Sequence, residues 1–596
     1  MRYHVLACDF DETIAHEGRV EEETVTALER LSRSGRRLVL VTGRELDDLL
    51  RVFTHVDLFD MVVAENGGVV YDPARRDRRP LADAPPEAFV ERLRAQGVRP
   101  LGVGSVIVAT REPHDRAVLD AIRELGMEMQ VVYNKGAVMV LPPGVNKASG
   151  LAEALRRLEM SPHSTVAVGD AENDHAMLSM CECAVAVANA LDSVKEHSDL
   201  VLTEPRGRGV AALAASLLES DLAEVSTSRH DLHFGTAGER PSAIAPYGTS
   251  VVVAGPSGSG KSTAATALLE RLGEAGYQYC VIDPEGDYAD FGGVTVFGDP
   301  TRGPSVDEVL GALRDPGQSV AVNLLAVPLR DRPAFFADLL PRLVGLRAEL
   351  GHPDWVVVDE AHHLMPVELA QLPVGVPTDV GSLMMVTVHP ETLSPLALEL
   401  VDTVVAVGDE PGDTLDAFAS ATGRTAPALG EAPGTDERQG SIVSDIAVWR
   451  VGEEKAERVL LAPGEAHRTR HRRKYATGTM SPDKSFYFTG PEGRLRLRAR
   501  NLHSFLELAD GVDDDTWTHH LRRHDYSRWL REAVGDAELA DLVRGVEDDE
   551  DRAAADSRDE VARLVDERYT LPAEPTRHDP DHDDDARSFP GGEARS

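Results

Sequence analysis

Cysteine is scarce in this chain: 596 residues hold only four, Cys8, Cys181, Cys183 and Cys280. None falls into the paired spacing of a zinc site, and so few thiols exclude a disulfide-built scaffold and suit a reducing cytoplasm. Cys181 and Cys183 read as two small buried thiols in an apolar segment rather than as metal ligands. Long apolar runs are missing too. None reaches the ~18 residues that span a bilayer, so no membrane partner is expected. The N-terminal MRYHVLACDFDE passes straight into a strand with an acidic end, unlike a signal peptide. Positive charge is in deficit, with 62 Lys and Arg against 101 Asp and Glu and a formal net charge of −39. That balance argues against indiscriminate attraction to nucleic acid or anionic membrane, since phosphate neutralisation needs clustered cations. The exception, HRTRHRRK at 467–474, reads first as a solvated interdomain linker.

The 42% of hydrophobic residues can build real cores, and at roughly 150 residues per domain the length predicts three to four units. The clearest motif lies near the middle. In VVVAGPSGSGKST, Val251 to Thr263, a β-branched run leads into Gly255-x-x-x-x-Gly260-Lys261-Ser262 and then into the helix-forming AATALLERL. Strand, glycine loop and helix in this order make a Walker A phosphate cradle. The glycines Gly255, Gly258 and Gly260 let backbone N–H groups turn inward, and Thr263 follows in the first helical turn. Lys261 is placed for the β- and γ-phosphates, and Ser262 for Mg²⁺.

The first strand ends in Ala7-Cys8-Asp9-Phe10-Asp11-Glu12-Thr13, two carboxylates one residue apart at a strand's carboxyl end, where α/β proteins place ligands. LVLVTGR, Leu38 to Arg44, is a second strand fit to bind phosphate through Thr42 and the Gly43 N–H. Asn146-Lys147 opens a helix and supplies a positive charge. VAVGDAEND, Val166 to Asp174, is a third strand ending in acids suited to Mg²⁺, which prefers oxygen ligands.

These four segments, in this order, resemble the haloacid dehalogenase (HAD) phosphohydrolase superfamily, in its Cof-type subclass IIB with a cap inserted between the second and third motifs. The resemblance covers about the first 205 residues. It implies Asp9 as a nucleophile forming an aspartyl-phosphate, and Asp11 as general acid and then base. It further implies Mg²⁺ held by the Asp9 carboxylate, the Asp11 backbone carbonyl and Asp170, supported by Asp174, with Thr42, Lys147 and Asn173 on the phosphoryl group. Glu65-Asn66-Gly67-Gly68 matches a glycine-rich segment of that subclass. PPEAFVERLRAQGV, SVIVAT, HDRAVLDAIRELG and MQVVYNKGAVMVLP read as helix, strand, helix and two strands about Asn134-Lys135-Gly136, a small α/β cap. Its shortness favours a compact substrate such as a sugar phosphate or phosphoglycolate.

Downstream of the cradle, WVVVDE at 355–360 ends in Asp359-Glu360, a Walker B pair in which Asp359 steadies Mg²⁺ and Glu360 polarises the attacking water. The segments DPEGDY, VDEAHHLMP and MVTVHP resemble the HerA-like branch of ATPases. That branch senses the γ-phosphate with a Thr-Gln pair, whereas here Thr387 is followed by Val388 and His389.

The expected fold is therefore α/β. A HAD Rossmann-like domain at 1–205 carries a cap at about 72–145. A linker at 206–244, in which RGRGVAALAASLLESDLAEVSTSRHD offers a terminal helix and then a polar connector, a P-loop ATPase domain at 245–465, a small mostly helical module at 466–546 and an acidic, largely disordered tail at 547–596 follow. In the module His519, His520 and His524 read as hydrogen-bonded neighbours of a packed aromatic pair sooner than as metal ligands. The expected function is a cytoplasmic Mg²⁺-dependent phosphatase for a small phosphorylated metabolite, joined to an ATP-hydrolysing domain that regulates or couples it. A nucleic-acid end-processing or DNA-translocating enzyme and a nucleotide-dependent scaffold are the alternatives, and an oligomer stays open.

Overall fold

The structure, a computed structural model, describes residues 1–238, 240–256, 258–289, 291–367, 382–430, 445–462, 485–493, 495–534, 536–549 and 552–569. The basic run at 467–474 and the last residues, 570–596, lie outside them. The chain forms two compact units, Met1–His467 and Arg468–Ser596.

Runs of Val, Leu and Ala with both faces buried produce the two large sheets of the first unit, as parallel sheets covered by helices require. The first sheet has eight strands in the order Leu200–Val201, Cys183–Ala186, Thr165–Gly169, Val5–Asp9, Arg37–Val41, Met61–Ala64, Val69–Asp72 and Asp77–Pro80. The first six are parallel, Val69–Asp72 runs against them, and Asp77–Pro80 pairs antiparallel with Val69–Asp72. Asp77–Pro80 thus belongs to this core sheet, and the cap proper begins later than expected, at the helix Glu87–Ala95. It continues with the helix Asp115–Glu124 and a four-stranded antiparallel sheet ordered Gln130–Asn134, Ala137–Leu141, Val108–Arg111 and Gly102–Val103. Phe89, Leu93, Val118, Val138 and Val140 form the cap's own core.

Residues 206–244 are not a linker. Val210, Leu213, Ala214 and Leu217 are buried on the helix Arg206–Ser220, which packs on the helix Glu22–Arg33 and completes the first domain. The strands Leu232–Ala237 and Arg240–Ile244 then form a hairpin at the edge of the second sheet. That sheet runs Arg240–Ile244, Leu232–Ala237, Lys455–Leu461, Asp445–Arg450, Thr403–Val407, Ser250–Ala254, Ser382–Thr387, Trp355–Val358, Tyr279–Asp283, Ser319–Asn323 and Val294–Phe297.

The two sheets share one continuous apolar core that includes Leu155 and Val166 from the first domain and Leu346 and Leu350 from the second. The polar seam beside it is specific. The Tyr277 ring stacks on His163 at 3.6 Å, and its hydroxyl donates to Glu182 at 2.8 Å. Arg2 donates to the other Glu182 oxygen at 2.8 Å. His352 bridges the Gln278 side chain at 2.7 Å and the Glu159 carbonyl at 3.0 Å. His163 precedes Thr165–Gly169 and Tyr277 precedes Tyr279–Asp283, so the domains meet at the amino ends of these strands. Five residues of strand, about 16 Å, separate the seam from each carboxyl end.

In the second unit an antiparallel pair, Phe486–Phe488 and Leu497–Ala499, is followed by helices Leu502–Gly511, Asp514–Leu521, Asp525–Trp529, Ala537–Glu547 and Ala554–Tyr569. Phe486, Phe488, Phe505, Trp517, Tyr526 and Trp529 make its core. His520 accepts from the Thr489 N–H at 3.0 Å and faces Asp525 at 2.8 Å, while His524 faces Glu547 at 3.3 Å. The expected tail starts too early at 547. Val561, Leu564 and Val565, spaced as one helical face, bury the helix Ala554–Tyr569 in this core.

Candidate functional site

Asp9 ends the central strand of the first sheet, and the neighbouring strands on either side end next to Thr42 and Asp170. The helix Lys147–Leu158 begins at Lys147, behind an Asn146 and Ser149 capping box. Four segments distant in sequence therefore converge on one buried pocket. Lys147 donates to Asp9 at 2.5 Å and to Asp174 at 2.6 Å, with its side chain 2% exposed. The second Asp174 oxygen accepts the Asp170 and Ala171 N–H groups at 2.9 and 3.0 Å, and Thr13 donates to Asp170 at 3.2 Å.

Burial raises Asp9 well above the usual carboxylate range, and the pull of Lys147 is opposed by the neighbouring charges of Asp174 and Asp170. Burial raises Asp170 too, against the hydrogen bond from Lys135. Burial would lower Lys147, but Asp174 and Asp9 outweigh it and hold the ammonium charged. Carboxylate oxygens of Asp9, Asp170 and Asp174 lie within 4.8 Å of one another. All-oxygen donors at this spacing, with two acids still driven toward protonation, fit a hard divalent cation such as Mg²⁺.

Of the other expected residues, Asp11 follows Asp9 in the chain, Asn173 precedes Asp174, and Thr42 and Gly43 follow Val41, which is level with Asp9. Asp11 receives two parallel hydrogen bonds from Arg44, at 2.8 and 2.6 Å. Thr42 is fully buried, and its hydroxyl accepts the Arg44 N–H at 3.1 Å. Asn173 donates to Asn66 at 3.0 Å, while its own carbonyl oxygen is buried with no protein partner. Gly43 faces both Asn173 and the cap's Met139: a Cβ there would lie 3.4 Å from the Met139 sulfur.

Three contributors were not assigned from the sequence. Arg44 ties Asp11 to Asp48. Glu65 accepts the N–H groups of Ser105, Val106 and Ile107 at 3.0, 2.8 and 3.2 Å, fastening the cap to the core. Lys135, at the tip of the cap hairpin, contacts Asp170. Asn134-Lys135-Gly136 had marked the turn, but nothing local says what the turn would meet.

The second site lies along the other sheet's carboxyl edge. Gly255, Gly258 and Gly260 take φ of 155°, 83° and 101°, and a Cβ on Gly255 would stand 2.0 Å from the Val407 carbonyl, so the loop needs glycine here. Lys261, Ser262 and Thr263 open a 14-residue helix, and Lys261 donates to the Pro256 carbonyl at 2.9 Å. The buried Ser259 hydroxyl has no protein partner. These groups fit a polyphosphate. Ser382–Thr387 lies between the Walker A strand and Trp355–Val358, putting Thr387 level with Ala254 between Lys261 and Asp359. Asp359 is buried and accepts the Glu360 N–H at 3.0 Å. Glu360 has φ of 42°, a left-handed value that a non-glycine residue adopts only when its surroundings impose it. Thr387 meets His362 at 3.4 Å, and Val388 stands beside it in place of a glutamine.

The sequence profile of haloacid dehalogenase-like hydrolases matches residues 6–92 and 103–213, and that of an AAA domain matches 246–378. The phosphoglycolate phosphatase of Methanothermobacter thermautotrophicus is 31% identical over 215 residues, covering 35% of this chain and 95% of its own. That of Methanopyrus kandleri is 33% identical over 227 residues, covering 36% and 97%. The chain belongs to the haloacid dehalogenase-like hydrolases. A solved haloacid dehalogenase-like hydrolase from Bacteroides thetaiotaomicron matches this hydrolase at 18% identity with a TM-score of 0.33, over 36% of this chain and 99% of its own. The expected α/β class and order of domains, a HAD Rossmann-like domain followed by a P-loop domain, are borne out, and so is the expected hydrolase. Among the described residues no helix is long and apolar enough to cross a membrane.

The second group of close metal-ligating atoms is His163, Glu182 and His230 at the seam. Glu182 already takes Arg2, Tyr277, His163 and Thr227, so this cluster is an interdomain joint with its acceptors in use.

Proposed function

We propose that this protein is a Mg²⁺-dependent phosphatase of a small phosphoester, with phosphoglycolate the first substrate to test, joined to an ATPase domain of the HerA-like branch. The buried cluster of Asp9, Lys147, Asp170 and Asp174, with Asp11, Thr42 and Asn173 beside it in the chain and the sheet, carries this reading. The names of the two relatives, both phosphoglycolate phosphatases, support the substrate.

Asp9 attacks phosphorus to form an aspartyl-phosphate, and Asp11, oriented by Arg44, protonates the departing oxygen. Asp11 then takes a proton from the water that releases phosphate. Lys147, the Thr42 hydroxyl, the Gly43 N–H and Asn173 hold the phosphoryl oxygens and offset their charge. The Asp9 carboxylate, the Asp11 backbone carbonyl and Asp170, supported by Asp174, would hold Mg²⁺, which when bound would supply positive charge to keep Asp9 ionised and balance the transferring group.

In the second domain the N–H groups of Gly255, Gly258 and Gly260 cradle ATP with Lys261 and Thr263, and Ser262 and Asp359 would hold its Mg²⁺. Glu360 orients water, and Thr387 with His362 reads the γ-phosphate. The seam at the amino ends of the strands carrying Asp170 and Asp283 is the route by which one site influences the other. The scarcity of cysteine, four in 596 residues, supports a cytoplasmic location.

The test is a crossed assay of the full chain on 2-phosphoglycolate and on ATP, with and without Mg²⁺. Asp9→Asn removes phosphate release and spares ATP turnover, and Lys261→Ala does the opposite. Full phosphatase activity in Asp9→Asn would refute the site.

A further inference from the structure

Among the described residues three cations face the acids of the phosphatase site, and they differ in freedom. Lys147 is 2% exposed and pinned between two carboxylates. Arg44 is 26% exposed and divided between Asp11 and Asp48. Lys135 is 42% exposed and comes from the cap. It sits at the apex of the hairpin formed by Gln130–Asn134 and Ala137–Leu141, with φ of 46° before Gly136 at 82°. The left-handed backbone at a lysine is an unfavourable choice for a turn, where glycine or asparagine would serve better. The strand Gln130–Asn134 packs beside the Glu172–Asp174 turn, bringing this apex to Asp170 and the acids around it.

We propose that Lys135 is the specificity residue of the phosphatase site. In this reading it selects substrates whose leaving group carries a carboxylate close to the ester oxygen, the class of small 2-phosphorylated hydroxy acids. The inference rests on the phosphatase reading above. With the phosphoryl group between Asp9, Thr42 and Lys147, the leaving group points toward the cap. An ammonium on a flexible four-carbon stem, released from Asp170, meets an anion there. A neutral leaving group offers it no exchange partner. A sugar phosphate therefore gains nothing from this lysine, whereas a carboxylate gains a charge-assisted hydrogen bond in a pocket shielded by the cap. The competing role is a latch that closes the cap on Asp170 for every substrate alike.

The experiment compares 2-phosphoglycolate with ethyl phosphate, which lacks the carboxylate, on the full chain at saturating Mg²⁺. In the wild type, kcat/KM favours 2-phosphoglycolate. Lys135→Met raises KM for 2-phosphoglycolate by roughly 10- to 100-fold, the worth of one hydrogen bond to a charged group, and leaves ethyl phosphate within about threefold. Lys135→Arg recovers part of the loss. Equal losses on both substrates would make Lys135 a latch and overturn the proposal, as would no loss on either. A wild type that hydrolyses both without preference defeats this inference alone, whereas one that hydrolyses neither defeats the phosphatase reading itself.

Discussion

Lys147 and Lys261 are both buried cations at the first position of a helix at the carboxyl edge of a parallel sheet, and they are held in opposite ways. Lys147 is fixed by the side chains of Asp9, at a strand end, and Asp174, in the turn Glu172–Asp174, far apart in sequence. Lys261 folds back on the Pro256 carbonyl of the loop that precedes it. One site is assembled from side-chain charges, the other from main-chain geometry. The first should fail when a charge is deleted, the second when a methyl group is added.

The sharpest way to break this contrast is Lys147→Met. Removing one partner of a buried ion pair leaves Asp9 and Asp174 facing each other without compensation, a loss of about 3–5 kcal/mol in stability. Urea unfolding in the presence of a chelator should show that loss. Phosphate release should fall at least about 1000-fold, two or more charge-assisted contacts being lost, while ATP binding is unchanged. A variant as stable as the wild type under chelation would mean that the charges do not hold this site together.

The seam should behave unlike either site, because both domains rest on it. His4 lies at the start of the central strand, its Nε2 at 3.2 Å from the Met1 carbonyl, with Gly351 of the second domain packed against its ring. Burial pushes its pKa from 6.5 down to about 4, more than the Met1 carbonyl restores. The folded chain therefore prefers the neutral ring. The stabilisation is complete above pH 6.5 and is lost as pH falls toward 4, by about 3 kcal/mol. Denaturation midpoints between pH 7 and 4 should fall for both domains together, and His4→Gln should flatten that slope.

The same contrast explains what could be read from the sequence. The Walker A loop is contiguous, and acids at strand ends betray Asp9, Asp170 and Asp174 because a buried strand has little other use for them. Lys147 was legible as a charge opening a helix. Lys135 and the role of Glu65 are not, because both depend on where the cap docks, a long-range event without a local signal, and Arg44 is not, because its pairing with Asp11 joins the ends of two different strands. The helix Ala554–Tyr569 was hidden by its acidic surface, although Val561, Leu564 and Val565 carry its apolar face. Residues 206–244 passed for a linker because polar residues at 219–231 separate a helix of one domain from a hairpin of the other.

Gly255→Ala tests the other half of the comparison. The added Cβ would lie 2.0 Å from the Val407 carbonyl, and backbone cannot yield as a side-chain tip can. The expected cost is about 2 kcal/mol in the P-loop domain, with ATP affinity down roughly 30-fold by equilibrium titration. Phosphatase activity should stay unchanged, since no charge has moved. A Gly255→Ala protein that binds ATP normally would show that the loop has slack that its φ of 155° denies.

The smallest expected effect lies at Glu65→Gln, where a main-chain arrangement enters the side-chain site. The carboxylate holds three consecutive N–H groups of the cap entry, a pattern more like the nucleotide loop than like the rest of its own pocket. Glutamine keeps one oxygen acceptor and turns its NH₂ toward N–H groups, so it loses part of the anchorage without emptying the space. The cap should close less often over an intact catalytic centre, and kcat/KM for 2-phosphoglycolate should drop about tenfold, the worth of one weakened charged hydrogen bond. Ethyl phosphate should drop equally, because cap closure serves every substrate, which separates this anchor from a residue that reads the leaving group.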